Sequence, residues 1–436
     1  MKVHFIGIGG IGVSSLAQYF IATENTVSGS DLNSSEITEK LEKLGVKISI
    51  NNSAKNISKD IDLVIYSPAV KPNNPELKKA ISLGIKTQTY PEALGEITKK
   101  YFTIAVSGTH GKSTTSSMIA LILINAGLDP TVIIGTKMKE FDNGNFRMGK
   151  SKYLVIEADE YKESFLNYHP RIITLTNIEA DHLDYYKNIN NILKAFSKYL
   201  ENIHHNGYII ANKEDENINK ILDKRRGVEY YSIKQSEAKE IKKIIKVPGE
   251  HNLYNALAAF ETALILGIKK GAILQGLSLY KGSWRRFEIF KGKDITLVSD
   301  YGHHPTEIEK TLKAAREKFP KKRIRCIFQP HQYERTFSLF NDFVKTLKEM
   351  PIDEIILSEI YTVPGREKES IKKKVNSKKL ARAVNSKNVI CKKTFNLIEK
   401  YTTETHQKDD VLIVMGAGDI YELFLRLKEK FIDKSS

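Results

Sequence analysis

The stretch Val106–Ser113, VSGTHGKS, decides how this chain is read. It nearly fits the phosphate-loop pattern G-x-x-x-x-G-K-[ST], and Gly111-Lys112-Ser113 supplies the pattern's end. The pattern's first glycine falls on Val106; the glycine sits at 108 instead. Before the loop, FTIAV reads as an apolar strand ending at Val106. After it, STTSSMIALIL reads as a helix. A loop in that context aims backbone N–H groups and a helix N-terminus at its ligand, which favours an anion. Lys112 can reach β- and γ-phosphate oxygens, and the Ser113 hydroxyl can ligate Mg2+. A glycine turn that merely precedes a lysine needs no such flanking elements.

A phosphate loop working with Mg2+ requires a carboxylate at the end of a neighbouring strand. YLVIEADE (153–160) offers Glu157, Asp159 and Glu160. TNIEADHLD (176–184) places Asn177, Glu179, Asp181, His182 and Asp184 after the next apolar run. In open α/β sheets ligands bind outside the carboxyl ends of the strands. Spacing alone leaves His182 outside a metal set, because Mg2+ prefers carboxylate and water.

Outward from the loop, short apolar strands alternate with helical stretches, the pattern of an α/β chain. Three such cycles predict three α/β domains in series. These are a Rossmann-like domain over 1–97, a central P-loop ATPase-type domain over 98–283 and a Rossmann-like domain over 284–436. The first boundary, near 98, falls within YPEALGEITKK (90–100), read as a polar stretch, and the second lies near GSWRRFE. HNLYNALAAFETALILG (251–267) predicts a helix with apolar positions 253, 256, 257, 260 and 264.

The N-terminus invites a different reading. KVHFIGIGGIG puts Gly7, Gly9 and Gly12, with Gly10 between, after a strand, and Asp31 lies about twenty residues on. By itself that is a dinucleotide fingerprint and would suggest a dehydrogenase. No later stretch offers a hydride-transfer site, and a glycine turn that approaches a pyrophosphate serves a UDP-sugar as well as NAD.

The chain has 436 residues, 41% of them hydrophobic, and no apolar run approaches a membrane span. Its N-terminus shows no basic n-region or cleavage site. Cys326 and Cys391 are distant and form no metal or disulfide pattern. A cytoplasmic location with no membrane partner is expected. The formal charge of +16 raises a nucleic-acid-dependent ATPase as a rival class. The lysines are scattered and lack an aromatic–glycine RNA signature, so no nucleic-acid partner is expected.

SGTHGKSTT, EADE, TNIEADHLD, GEHNLYNALAA, RRFE and DYGHHP occur in this order over most of the chain. Together they resemble the Mur ligases, ATP-dependent amide-forming enzymes of peptidoglycan precursor synthesis, a family that uses G-T-[HN]-G-K-[ST] as its loop. FIGIGGIG, YSPAV, GHHPTE and FQPHQYERT resemble the branch that joins L-alanine to the lactyl carboxylate of UDP-N-acetylmuramate. The alternative is the murein-recycling branch, which adds a tripeptide and shares a tyrosine after EADE, here Tyr161.

The resemblance implies roles. Gly108, Thr109, His110, Gly111, Lys112, Ser113 and Thr114 would cradle the ATP phosphates. Ser113 and Glu157 would hold one Mg2+, and Glu157 and His182 a second. His251, Asn252 and Asn255 match the helix that contacts adenine, and Arg286 and Asp300 match positions near the phosphates and ribose. Gly7, Gly9, Gly10, Gly12, Asp31 and Ser67 would hold UDP-N-acetylmuramate. His331 and Arg335 match the segment near the amino acid. Lys112, Glu157, His182 and Arg286 are the implied catalytic set. Two positions depart from the family pattern: Ser113 stands where Thr is usual, and Gln332 where Arg is frequent. Lys198 lies near the position of a carbamylated lysine in some members, but is read as a surface lysine.

Overall fold

The computed structural model describes residues 1–223, 225–363, 367 and 369–433. Among these, the strands form three sheets, one for each predicted domain. The first contains β1 (Lys2–Ile6), β2 (Thr26–Asp31), β3 (Lys47–Ile50), β4 (Leu63–Tyr66) and β5 (Lys86–Thr89), in the order β3-β2-β1-β4-β5. All its pairings are parallel.

The second contains β6 (Phe102–Ser107), β7 (Thr131–Met138), β8 (Gly144–Arg147), β9 (Tyr153–Ala158), β10 (Ile172–Leu175), β11 (Tyr208–Asn212) and β12 (Val228–Tyr231). Its order is β12-β11-β10-β6-β9-β7-β8, and β8 runs antiparallel to β7. The third contains β13 (Glu288–Lys291), β14 (Ile295–Asp300), β15 (Ile324–Phe328), β16 (Glu354–Leu357), β17 (Val389–Cys391) and β18 (Asp410–Met415). Its order is β13-β14-β18-β15-β16-β17, with β13 antiparallel.

The central strands are near-continuous apolar runs because parallel sheets are covered on both faces. Ile104, Ala105, Val106, Leu154, Val155, Ile156, Ile172 and Ile173 have no measurable exposure. In the register of these strands Val106 pairs with Glu157 and with Thr174, so the loop after β6 and the acids of β9 leave the same sheet edge. The strand before the phosphate loop runs one residue beyond its expected end, to Ser107.

By compactness the chain divides into two units. The first is Met1–Ile178, Leu193–Ile244 and Asn255–Tyr280, and carries the first two sheets; the second is Glu179–Ile192, Ile245–Tyr254 and Lys281–Ser436, and carries the third.

The stretch expected to be polar before residue 98 is a helix, Tyr90–Thr98. Thr89 and Glu92 form a reciprocal capping box, a proline sits in the first turn, and Ala93, Leu94 and Ile97 are buried. Composition hid it because its exposed positions are Glu92 and Glu96, with two lysines directly after it. The expected helix over 251–267 runs Glu250–Ile265. Leu253, Ala256, Leu257 and Phe260 are buried, but Leu264, one residue from the helix's end, is 39% exposed.

Candidate active site

The phosphate loop lies in the first unit. Gly108 has φ +137° and Gly111 φ +85°, both in the left-handed region that a side chain rarely adopts. Asn177 braces the loop from the end of β10: its carbonyl accepts from Thr109 N at 2.9 Å and its Oδ1 from His110 N at 2.9 Å. The Thr176 hydroxyl donates to His110 O at 2.6 Å. A Cβ at Gly111 would collide with Asn255 Oδ1, which itself accepts from Thr115 Oγ1 at 3.3 Å. Asn255 therefore presses on the loop from behind. Thr109, His110, Ser113 and Thr114 are all buried.

Lys112 Nζ donates to Gly108 O at 2.7 Å, to Thr109 O at 3.3 Å and to Glu160 Oε2 at 2.8 Å. Burial pulls its pKa down, but Glu160, Asp159 and Glu157 outweigh burial and push it up to about 12. The ammonium is thus a fixed positive charge at neutral pH. Ser113 Oγ donates to Glu157 Oε2 at 3.0 Å, and Glu157 Oε1 accepts from Gly135 N at 2.6 Å. These are two oxygen donors side by side, the set a hard divalent cation takes.

The glycine turn after β1 lies in the same unit. Gly7 N and Ile8 N both donate to Ser30 O, and Gly10 N donates to Gly7 O at 3.2 Å. Asp31 Oδ2 accepts from Gly9 N at 2.8 Å, so the acid holds the turn directly. Ser67 follows β4 and accepts from Ala69 N at 3.3 Å. The Tyr90 ring lies against Gly12; burial, Glu157 and Asp159 all push its phenol pKa up. Lys198 is exposed on the helix Ile189–Tyr199.

In the second unit, His182 adopts φ +51° at the start of a short helix, Leu183–Tyr186, and its N–H donates to Asp181 Oδ1 at 2.7 Å. Buried Arg335 donates from Nε to Asp181 Oδ1 at 3.0 Å. Burial raises the Asp181 pKa, but Arg335 and three nearby histidines, His182, His304 and His303, hold it well below the usual carboxylate range. His331 stacks on Tyr361 at 5.2 Å and meets the edge of His303 at 5.6 Å. Burial and Arg335 push the His303 pKa down to about 4 against the pull of Glu307 and Asp181. His304 Nδ1 accepts from Thr306 N at 3.3 Å, which puts its proton on Nε2, facing Ala180 O at 3.3 Å.

Asp300 is buried and turned inward: it accepts from Phe287 N and Gly302 N, both at 2.8 Å, and so pins the Arg-Arg-Phe turn. Arg286 lies over the Tyr301 ring at 5.0 Å. Its neighbour Arg285, which the motif reading passed over, is more enclosed. Its guanidinium sits 5.0 Å from the Tyr301 and Tyr421 rings, 5.5 Å from Trp284, and donates to Gly416 O. Asn252 Nδ2 donates to Pro248 O at 2.7 Å. His251 is enclosed beside Gly249, and burial, with Lys310 nearby, pushes its pKa down to about 4 against Glu307.

Of the implied residues, the structure brings together the loop from Gly108 to Thr114 with Glu157 and Asn255, and the turn from Gly7 to Gly12 with Asp31. It also joins Arg335 to His331. Glu157 and His182, paired by the family resemblance, belong to different units, as do Asn252 and Asn255.

A phosphate loop on a parallel sheet, with a serine–glutamate pair at its edge, defines an α/β nucleotide-binding protein. Family models for the Mur ligase catalytic, middle and glutamate ligase domains match residues 2–102, 106–263 and 285–418. The chain belongs to the Mur ligase family. It is 43% identical to a UDP-N-acetylmuramate–L-alanine ligase of Clostridium tetani, covering 98% of both chains. It is 42% identical to one of Clostridium kluyveri, covering 97% of this chain and 96% of that one. The crystal structure of UDP-N-acetylmuramate–alanine ligase MurC from Thermotoga maritima superposes with a TM-score of 0.82, at 30% identity over 99% of both chains.

Proposed function

We propose that this chain is an ATP-dependent ligase that joins L-alanine to the lactyl carboxylate of UDP-N-acetylmuramate in the cytoplasm, with ADP and phosphate as products. The observation that carries it is the loop geometry. Lys112 and the Ser113–Glu157 pair stand at adjacent strand ends of a Mur ligase fold.

A carboxylate must be activated before an amine can displace its oxygen. In the proposed sequence a lactyl carboxylate oxygen forms a bond to the γ-phosphorus of ATP while the bond to ADP breaks. The neutral amine of L-alanine then attacks the acyl carbon, phosphate leaves, and the amine proton goes to solvent. The residues of this chain bind, orient and neutralise. The loop amides and Lys112 meet the phosphates. The turn from Gly7 to Gly12, held by Asp31 and joined by Ser67, meets the UDP-sugar. His331 and Arg335 meet the amino acid. Arg286 meets phosphate, and Asp300 fixes the turn that presents it. Asn255 supports the loop, and Asn252 is assigned to the nucleotide base.

Ser113 and Glu157 fit a Mg2+ ion, being paired oxygen donors, and His182 is proposed as a metal ligand. A bound Mg2+ would neutralise charge on the transferring phosphoryl group. We place the domain boundaries at 97/98 and 283/284, and propose no nucleic-acid or membrane partner. Among the described residues no helix is long and apolar enough to cross a membrane.

The test is phosphate release from ATP and Mg2+. Release that needs both UDP-N-acetylmuramate and L-alanine supports the reading. Release with the L-Ala-γ-D-Glu-diaminopimelate tripeptide in place of alanine assigns the recycling reaction instead. No release with either acceptor sinks both.

A further inference from the structure

Glu160 follows β9 three residues after Glu157, and its side chain is 3% exposed. It contributes to no step of the proposed reaction, yet it makes the only carboxylate hydrogen bond to Lys112 found among the described residues. The other two bonds from Nζ go to loop carbonyls, so the ammonium's three donors are all directed. Asp159 and Glu157 act on the same ammonium through their charge. Three carboxylates against one ammonium leave this end of the loop net negative, where an anionic phosphate chain is to bind.

A buried carboxylate next to a phosphate site opposes phosphate unless a cation is added. It also fixes a flexible lysine side chain, whose free rotamers would otherwise spread the charge over several positions.

We propose that Glu160 is the positioning residue of Lys112, and that its charge makes nucleotide binding depend on a divalent cation. This rests on the ATP reading above. Glu160→Gln keeps the shape and removes the charge. Two changes then favour metal-free nucleotide: one repulsive charge is gone, and the Lys112 charge is no longer offset by the carboxylate it bonds. Turnover moves the other way, because the ammonium is no longer held. A merely structural glutamate would give weaker binding and slower turnover together.

The experiment is ADP binding by calorimetry in EDTA and in Mg2+, alongside turnover, for wild type, Glu160→Gln and Glu160→Asp. For Glu160→Gln the expected result is ADP binding in EDTA at least about tenfold tighter, with turnover at least about tenfold slower. Glu160→Asp keeps the charge but shortens the reach. It should bind ADP in EDTA as wild type does, within about twofold, and lose turnover. ADP binding in EDTA that is unchanged or weaker in Glu160→Gln overturns the proposal. If that variant does not fold, full turnover in Glu160→Asp overturns it alone. Failure of wild type to bind ADP even with Mg2+ would instead sink the ATP reading.

Discussion

Ser113 Oγ and Glu157 Oε2 lie 3.0 Å apart, and the second oxygen of Glu157 is held by Gly135 N at 2.6 Å. The carboxylate is thus aimed from β9 at the first helical turn after the phosphate loop, with one oxygen anchored and one turned to the serine. If this pair holds Mg2+, Glu157→Ala abolishes turnover at low Mg2+, and added Mg2+ recovers at most part of it. A Mg2+ titration of initial rates decides the matter. A variant that matches wild type at every concentration has lost no metal ligand.

Gly111 and Asn255 occupy one small space from opposite sides. Gly111→Ala would have to adopt φ +85° and push its methyl group into the Asn255 amide. A loss of about 1–3 kcal/mol is expected, with ADP binding weakened in parallel. Asn255→Ala alone loses the contact to Thr115 Oγ1 and costs about 1 kcal/mol. The double variant should be less damaged than the sum, since the collision is gone and only the backbone strain remains. Urea denaturation of the four proteins measures the coupling. Additivity within about 0.5 kcal/mol would mean the two residues do not touch.

That coupling shows where sequence reading stops. The loop was legible because its chemistry is contiguous and its strand is an apolar run bounded by glycine. So were β9, β10 and β18, whose apolar runs are buried on both faces. The short strands KISI, KTQT and VEYY were not: each lies at or near an edge of its sheet, and their residues are partly exposed, so no apolar run marks them. Asn255 against Gly111, and Arg335 against Asp181, join residues far apart in the chain. No local spacing encodes either. Arg335 was placed by motif alone, and its ion partner came only with the fold.

Asp31 accepts from Gly9 N at 2.8 Å and from Leu32 N at 2.7 Å, which ties the end of β2 to the glycine turn. Asp31→Ala frees the Gly9 amide and loosens the turn assigned to the UDP-sugar. The KM for UDP-N-acetylmuramate should rise roughly tenfold or more, while the KM for ATP changes by less than about threefold. Separate saturation curves check this. A larger effect on ATP would mean the nucleotide assignments of the first two sheets are exchanged.

His251 and His303 give the second unit an acid-sensitive window of stability. Burial leads both shifts, and each histidine has its pKa pushed down to about 4, from 6.5 in a free chain. The sign follows from proton uptake. Between about pH 6.5 and 4 the unfolded chain binds protons that the folded chain refuses, so stability falls as pH falls through that window. Below about 4 the folded histidines bind protons too, and the loss levels off. Each group accounts for roughly 3–4 kcal/mol at full extent. Asp181 acts in a separate, lower window. Its pKa is held well below the 3.8 of an ordinary aspartate, so the stability it contributes is present above that value and is lost only at more acid pH. Urea midpoints at pH 7 and pH 5 should therefore differ clearly in the wild type. The difference should shrink in His303→Gln and again in His251→Gln/His303→Gln. A difference that survives intact in the double variant would place the acid sensitivity elsewhere.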